Sequence, residues 1–391
     1  MEFLDSNQPK FLGATDWETI TAALNEAVRT GAKGIRIPRY NARTGETQWT
    51  IEKAIAVPSG MTVVLDNCKL VQASGCYDHL FTAEKGAENI AVLGEGNVTL
   101  SGGEPNRLQE TTAGKYGLPE ISVNAMLYFD GVKGLTFDNL HIEDQRWAAF
   151  DFKHCENIKL THLDFQNVPH LPNLTAMLFE HGCKHVEIED ITGRSGHDTI
   201  YIRANERETP GPDTEICDFK LRTVNVDPAR GSIVQFNVSG GNKVHDFTMD
   251  TIYDSSDFFE KRRSESTVGV GHPAYRPVKR AELGDIYNIR MKNAISRSNA
   301  GISVCDALRD SSFENFFTFG DIITAIASRK KDVKLENVVF DRIYHGQGSS
   351  PNNSTSFISL QARGQKAVNL DTATGTFEVN HFYLPDEEDA Q

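Results

Sequence analysis

Apolar and polar residues alternate in short runs that return along most of the chain: KGLTFDNL, NIKLTHLDF, HVEIEDIT, DFKLRTV, DFTMDTI, NIRMKNAI, SFENFFTF and VKLENVVF. A period of two marks strands, not helices. Equivalent apolar positions in these runs are Phe137, Leu160, Ile188, Leu221, Met249, Met291, Phe313 and Leu335, and their successive differences are 23, 28, 33, 28, 42, 22 and 22. A base step near 22–28 residues with occasional excess predicts a solenoid with loops inserted on particular coils. A second strand family follows the first: AAFDFK, AMLFE, TIYIR, SIVQFN, GISVC and SFISLQ. Two or three short strands per coil predict an all-β fold, a single-stranded parallel β-helix in one domain over residues 1–391. A leucine-rich repeat would need a Leu-x-x-Leu-x-Leu frame, which is absent, and a propeller repeats at a longer period with antiparallel blades.

One segment breaks the alternation. Thr15 and Glu18 have capping-box spacing, Ile20, Leu24, Ala27 and Val28 fall together, and Gly31 follows. This predicts an amphipathic helix at about 16–30 that caps the open first coil. The enlarged steps place insertions near 204–213 and 254–283, and a third lies near 101–122. Such loops wall a binding site or decorate the surface. The terminal PDEEDAQ reads as an acidic, frayed tail over 385–391.

In the second family, Phe150 and Phe152, Met177 and Phe179, and Ile200 and Ile202 are the inward pairs, so their neighbours point outward. Stacked coils then present one row of Lys153, Glu180, Arg203 and Asn237, and another of Asp151, Leu178, Tyr201 and Gln235. The alternating charges read either as a solvated ladder or as a polar floor for sugar hydroxyls. Asp198, after Gly196 and His197, opens a strand on the same face; it reads as a turn cap or as a reactive carboxylate. Glu180 and Asp198 do not make a direct acid–base pair. Five residues of strand separate Arg203, opposite Glu180, from Asp198, roughly 16 Å, against about 5–10 Å in glycosidases.

Composition narrows the function. The 391 residues carry 40 Lys and Arg against 54 Asp and Glu, a net charge of −14. This argues against general nucleic-acid binding and against docking on an anionic membrane. The longest apolar runs, such as MTVVL at 61–65, fall far short of the roughly 20 residues of a membrane span. MEFLDSNQPK shows no signal-peptide pattern, so the expectation is a cytoplasmic protein, or a secreted one if a leader has been trimmed. The six cysteines lack a CxxC motif, and His154, His170, His181 and His185 read as solvated turn residues, so neither a metal nor another cofactor is expected. Cys155 and Cys183 occupy equivalent turns one coil apart and are expected as stacked thiols.

These residues resemble a known pattern. The opening GATDW…ITAALNEAV…IRIP is similar to the first coil of pectinase-type β-helix proteins, and residues from about 130 to 255 resemble polygalacturonase-type glycoside hydrolases of family 28. The resemblance, with strand twist, implies a right-handed helix of about ten coils. That family carries Asn-Thr-Asp, Gly-Asp-Asp, Gly-His-Gly and Arg-Ile-Lys at successive turns. The second is echoed by RSGHDTIYIR, where Asp198 matches the second Asp and His197 stands in place of the first. The other positions read Asn173-Leu174-Thr175, Ala229-Arg230-Gly231 and Ser303-Val304-Cys305. The family uses the Asp matched by His197 as general acid and the other two to activate water. The resemblance therefore implies Asp198 and His197 as the catalytic pair. The strand register places Asp151, Lys153, Glu180, Tyr201, Arg203, Gln235 and Asn237 on the expected substrate face, and the motif alignment adds Arg230. Loss of two carboxylates and of the uronate-binding Arg and Lys points to a neutral or differently charged glycan.

Three functions fit. The first is a glycoside hydrolase with Asp198 as base and His197, or a loop carboxylate such as Glu260, as acid. The second is a polysaccharide lyase or sugar epimerase, with Arg203, Arg230 and Lys153 holding developing charge and Tyr201 moving a proton. The third is a non-catalytic glycan-binding or spike-like β-helix. Each implies a carbohydrate partner and leaves homo-oligomerisation open.

Overall fold

The structure is a computed structural model and describes residues 2–167, 173–256, 265–272, 277–318, 325–328, 330, 332–345, 368–370 and 372–383. They form two compact units, Met1–Phe179 with Cys183–Gly196 and Glu180–Gly182 with His197–Gln391. Glu260, His170 and the acidic tail lie outside the described residues.

Both units are built as the alternation predicts, from parallel strands stacked coil on coil. In the first unit one series runs Gly34–Pro38, Thr62–Asp66, Glu88–Glu95, Lys133–Glu143, Glu156–Gln166 and Lys184–Ser195. The second series there runs Phe81–Thr82, Leu127–Asp130, Phe150–Lys153 and Met177–Glu180. In the second unit the long series is Ile216–Pro228, Val244–Asp254, Ile286–Ser296, Leu308–Thr318, Val333–His345 and Ala373–Tyr383. Beside it lie Ile200–Ala204, Ser232–Val238, Ser266–Val270, Ala300–Val304 and Ile326–Ser328. The fold is an all-β parallel β-helix. No described helix is long and apolar enough to cross a membrane.

Many of the long strands bend twice, because two residues in them adopt the left-handed conformation. Asn157 and His162, His185 and Asp190, Asn288 and Asn293, and Asp310 and Asn315 have φ between 48° and 57°. Asn and Asp tolerate this region best among residues with a side chain. Their amides also bridge coils: Asn293 donates to Asp250 Oδ1 at 2.8 Å and Asn315 to Asn293 Oδ1 at 2.6 Å. Each long strand is therefore three short legs, and the alternation restarts after each bend.

The inward columns follow. Phe137 pairs with Leu160 and Leu160 with Ile188, while Leu221, Met249, Met291 and Phe313 align in the second unit. The next member is Phe340, not Leu335, which pairs with Leu308 instead. Both residues are buried and apolar in VKLENVVF, and the bend at Asn337 separates their legs, so alternation alone could not choose between them.

The helix Asp16–Thr30 has the expected ends: Thr15 Oγ1 accepts from Glu18 N at 3.1 Å, Glu18 Oε2 accepts from Thr15 N at 3.3 Å, and Gly31 is left-handed with φ 67°. Its buried face is Ile20, Ala23, Leu24 and Ala27, whereas Val28 is exposed. Position 28 lies eight residues from Ile20, about 80° off the stripe at 3.6 residues per turn, and this corrects its assignment to the core face. Asp16 anchors the helix by accepting from Thr50 N at 2.7 Å and Asn41 Nδ2 at 2.8 Å.

The segment 254–283 is also not one loop. It contains the strand Ser266–Val270, whose Ser266 pairs with Ser232 and Gly269 with Gln235. Its STVGV sequence alternates, and a Cβ on Gly269 would stand 2.1 Å from Gln235 Oε1, so the glycine makes room for the glutamine. His181 is buried rather than solvated, with Nε2 3.4 Å from Asn205 Oδ1. No disulfide joins the six cysteines, and burial pushes the Cys155 thiol up to about 12.

Outward from the third leg of the first unit, His141 Nδ1 lies 2.6 Å from Asp164 Oδ2 and its Nε2 lies 3.7 Å from Glu143. The hydrogen bond to Asp164 raises the His141 pKa, and the same bond lowers that of Asp164. The imidazolium's contribution is complete below the ordinary histidine value of about 6.5 and is lost as pH rises through the raised one. The carboxylate's contribution is complete above about 3.9 and is lost as pH falls through the lowered one. The melting difference between the parent and His141→Asn is thus expected to be greatest between about pH 4 and 6.5, at about 1–3 °C, and to shrink by pH 9. Melting curves across that range test this; a difference independent of pH would show that the pair is not the cause.

Candidate functional site

Chain direction sets the site in the second unit. Ile200 and Ile202 of strand Ile200–Ala204 point into the core, which turns Tyr201 and Arg203 outward. On the next coil Tyr201 faces Gln235 and Arg203 faces Asn237. Asn237 Nδ2 donates to Tyr201 Oη at 2.6 Å, and the Arg203 guanidinium lies 5.9 Å from the Tyr201 ring centre. Arg203 also forms an ion pair with Glu180. Glu180, Tyr201, Arg203 and Asn237 are thus one bonded cluster, which joins Tyr201 of one row to three members of the other. Gln235 belongs to the same face but is committed to structure, its Nε2 donating to Gly271 O at 2.9 Å and Phe236 O at 3.1 Å.

Asp198 stands two residues ahead of that strand. Its Oδ1 accepts from Ser232 N at 2.7 Å, and its Oδ2 lies 2.9 Å from His197 Nδ1. The Asp198 side chain is 7% exposed and the His197 side chain 30%. The carboxylate is therefore held behind the imidazole, and the imidazole meets solvent. Gly231 is required here: a Cβ on it would stand 2.4 Å from Asp198 N and 2.5 Å from Asp198 Oδ1. Arg230 is half-buried beside this glycine.

The outward face is not an open strip. Glu180, Asp198, Gln235 and Asn237 are all buried, leaving Tyr201, Arg203 and His197 partly accessible. Loops from the anticipated insertions close over one end. Glu206 Oε1 accepts from Val278 N at 3.1 Å, Gly240 N donates to Lys279 O at 2.9 Å, and Arg280 Nε donates to Asp306 Oδ1 at 2.8 Å. His272, from the insertion at 254–283, pairs with Glu265 at 3.1 Å.

Asp151 and Lys153 lie on Phe150–Lys153 in the first unit. Asp151 is buried in register with Tyr128 and Leu178, and Lys153 is half-buried opposite Asp130. That unit holds a carboxylate the sequence reading missed. Glu110, from the insertion near 101–122, accepts from Trp147 Nε1 at 3.0 Å and from Asn173 Nδ2. Asn173 marks the first of the four motif turns; the only sequence signal for Glu110 was its place in an insertion.

No protein-family model and no curated protein matches the chain. Solved structures do. PfbA, a surface adhesin of Streptococcus pneumoniae, is 11% identical, with 98% of this chain and 91% of that one covered at a TM-score of 0.60. A hyperthermoactive exopolygalacturonase from Thermotoga maritima is also 11% identical over 98% and 91% of the two chains, at 0.55. A tailspike protein mutant of the E. coli bacteriophage HK620, in complex with a pentasaccharide, is 11% identical over 98% and 71%, at 0.64. At these identities the likeness is one of fold.

Proposed function

We propose that this chain processes carbohydrate: it holds an oligosaccharide on the Tyr201 face of its second unit and cleaves a glycosidic bond by acid–base chemistry at His197. The observation that carries this reading is the His197–Asp198 pair. A buried carboxylate at Nδ1 keeps the proton on that nitrogen, so the ring exchanges protons through Nε2. The imidazolium gives its proton to the glycosidic oxygen as the bond to the anomeric carbon breaks; water then adds its hydroxyl to that carbon, and its remaining proton goes to the neutral Nε2, restoring the imidazolium. Asp198 then positions His197 and stabilises its charge. Arg203 is balanced by Glu180, which favours a neutral sugar over an acidic one at that position. The same coil architecture is found in an exopolygalacturonase and in a tailspike protein bound to a pentasaccharide, which supports the choice of substrate class.

Glycan binding without cleavage is the second reading, favoured by one observation: both Asp198 oxygens already have partners, one of them the Ser232 amide. Incubation with a panel of neutral oligosaccharides, assayed for new reducing ends and for binding, separates the two. Binding without release selects the second, and absence of both overturns the carbohydrate assignment. Tyr201→Ala should weaken binding about tenfold through loss of stacking area and a hydroxyl, with the melting transition nearly unchanged. Unaltered affinity in that variant would move the ligand off this face.

A further inference from the structure

We propose that the first unit carries a separate site for a sugar acid, in a groove on the outward face of its third leg. The floor is a row of polar side chains, one per coil: Gln48 pairs with Lys69, Lys69 with Thr99, and Thr99 with His141. Coils repeat about every 4.8 Å, so successive side chains can meet successive polar groups of one extended ligand. Two adjoining cavities, of about 280 and 400 Å³, lie over this row and share Lys69.

The two cavities differ in charge. The first is lined by Arg39, Lys69, Asn97, Thr47 and Thr99, with no carboxylate. Lys69 is balanced by Glu143, its Nζ 2.7 Å from Oε1. Arg39 is exposed and makes no ion pair among the described residues; it is the uncompensated cation. Its planar fork matches a carboxylate through two parallel hydrogen bonds, while the hydroxyls and the amide supply partners for a polyhydroxylated ring. The second cavity is lined by Glu104 and Asp144 together with Ser101 and Gln48. Two carboxylates there repel a second oxyanion. The groove therefore fits an alternating glycan, with its acidic unit at Arg39 and a neutral unit beside Ser101. On the Tyr201 face, by contrast, Arg203 is already paired with Glu180.

The test is calorimetric titration with a tetrasaccharide that alternates glucuronic acid with N-acetylglucosamine, and with its carboxyl-reduced counterpart. Titrations use the parent, Arg39→Ala and Tyr201→Ala. The acidic probe is expected to bind the parent and Tyr201→Ala alike, and at least tenfold more weakly to Arg39→Ala. The reduced probe should bind the parent at least tenfold more weakly than the acidic one. Equal affinity for the two probes, full affinity in Arg39→Ala, or no binding to the parent would each overturn the proposal. A fully sulfated tetrasaccharide that binds more tightly than the acidic probe would overturn the choice of a carboxylate. The comparison of probes needs no variant, and Arg39, exposed and unpaired, leaves the melting curve unchanged when truncated.

Discussion

Asp198→Asn is expected to lose about 10²–10⁴-fold in turnover while keeping its fold. Asparagine preserves the shape and an oxygen for the Ser232 amide, which Asp198 Oδ1 now accepts at 2.7 Å. It removes the charge behind His197 and presents a donor where Oδ2 stands 2.9 Å from Nδ1. The ring then favours the other tautomer, and its protonated form loses a buried counter-charge. Turnover on a cleaved oligosaccharide and a melting curve, measured on one preparation, decide the matter. A turn-capping aspartate would instead show turnover near the parent value, with any loss confined to stability at about 1 kcal/mol. That second pattern would sink the catalytic role and return attention to loop carboxylates such as Glu110 and Glu260.

Phe152→Ala is expected to cost about 3–5 kcal/mol of stability. Phe152 is wholly buried on Phe150–Lys153. Its ring centre lies 5.2 Å from Phe179, 5.6 Å from Phe150, 6.1 Å from Phe137 and 6.2 Å from Phe129. Truncation deletes the ring common to these contacts, and parallel strands held in register on neighbouring coils cannot close the gap independently. Phe152→Leu, which retains much of the volume, should cost less than about 1.5 kcal/mol. Urea unfolding of the parent and both variants measures this. Equal costs for alanine and leucine would mean that the column repacks and that the stacked rings are not a main source of stability.

The sequence by itself determined the strands, their inward side chains and the capped helix, because each is written in neighbouring residues. Phe150 and Phe152, or Ile200 and Ile202, must share a face once the chain is extended. Thr15 and Glu18 satisfy each other's backbone within a single turn. The local echo in RSGHDTIYIR likewise brought His197 and Asp198 forward, and they are bonded neighbours. Tertiary structure decided what depends on residues far apart in the chain. It chose Phe340 over Leu335 as the partner of Phe313, since two inward positions on one coil are equivalent until the adjacent coil selects between them. It placed a strand inside the insertion at 254–283, where Gly269 yields space to Gln235. It buried Asp198, Gln235 and Asn237 on a face that alternation could only label outward. It also gathered Arg39, Lys69 and Asn97 around one cavity. Alternation specifies a direction relative to the strand; whether that direction ends in solvent, in a loop or in a groove is fixed by which distant segments fold over it.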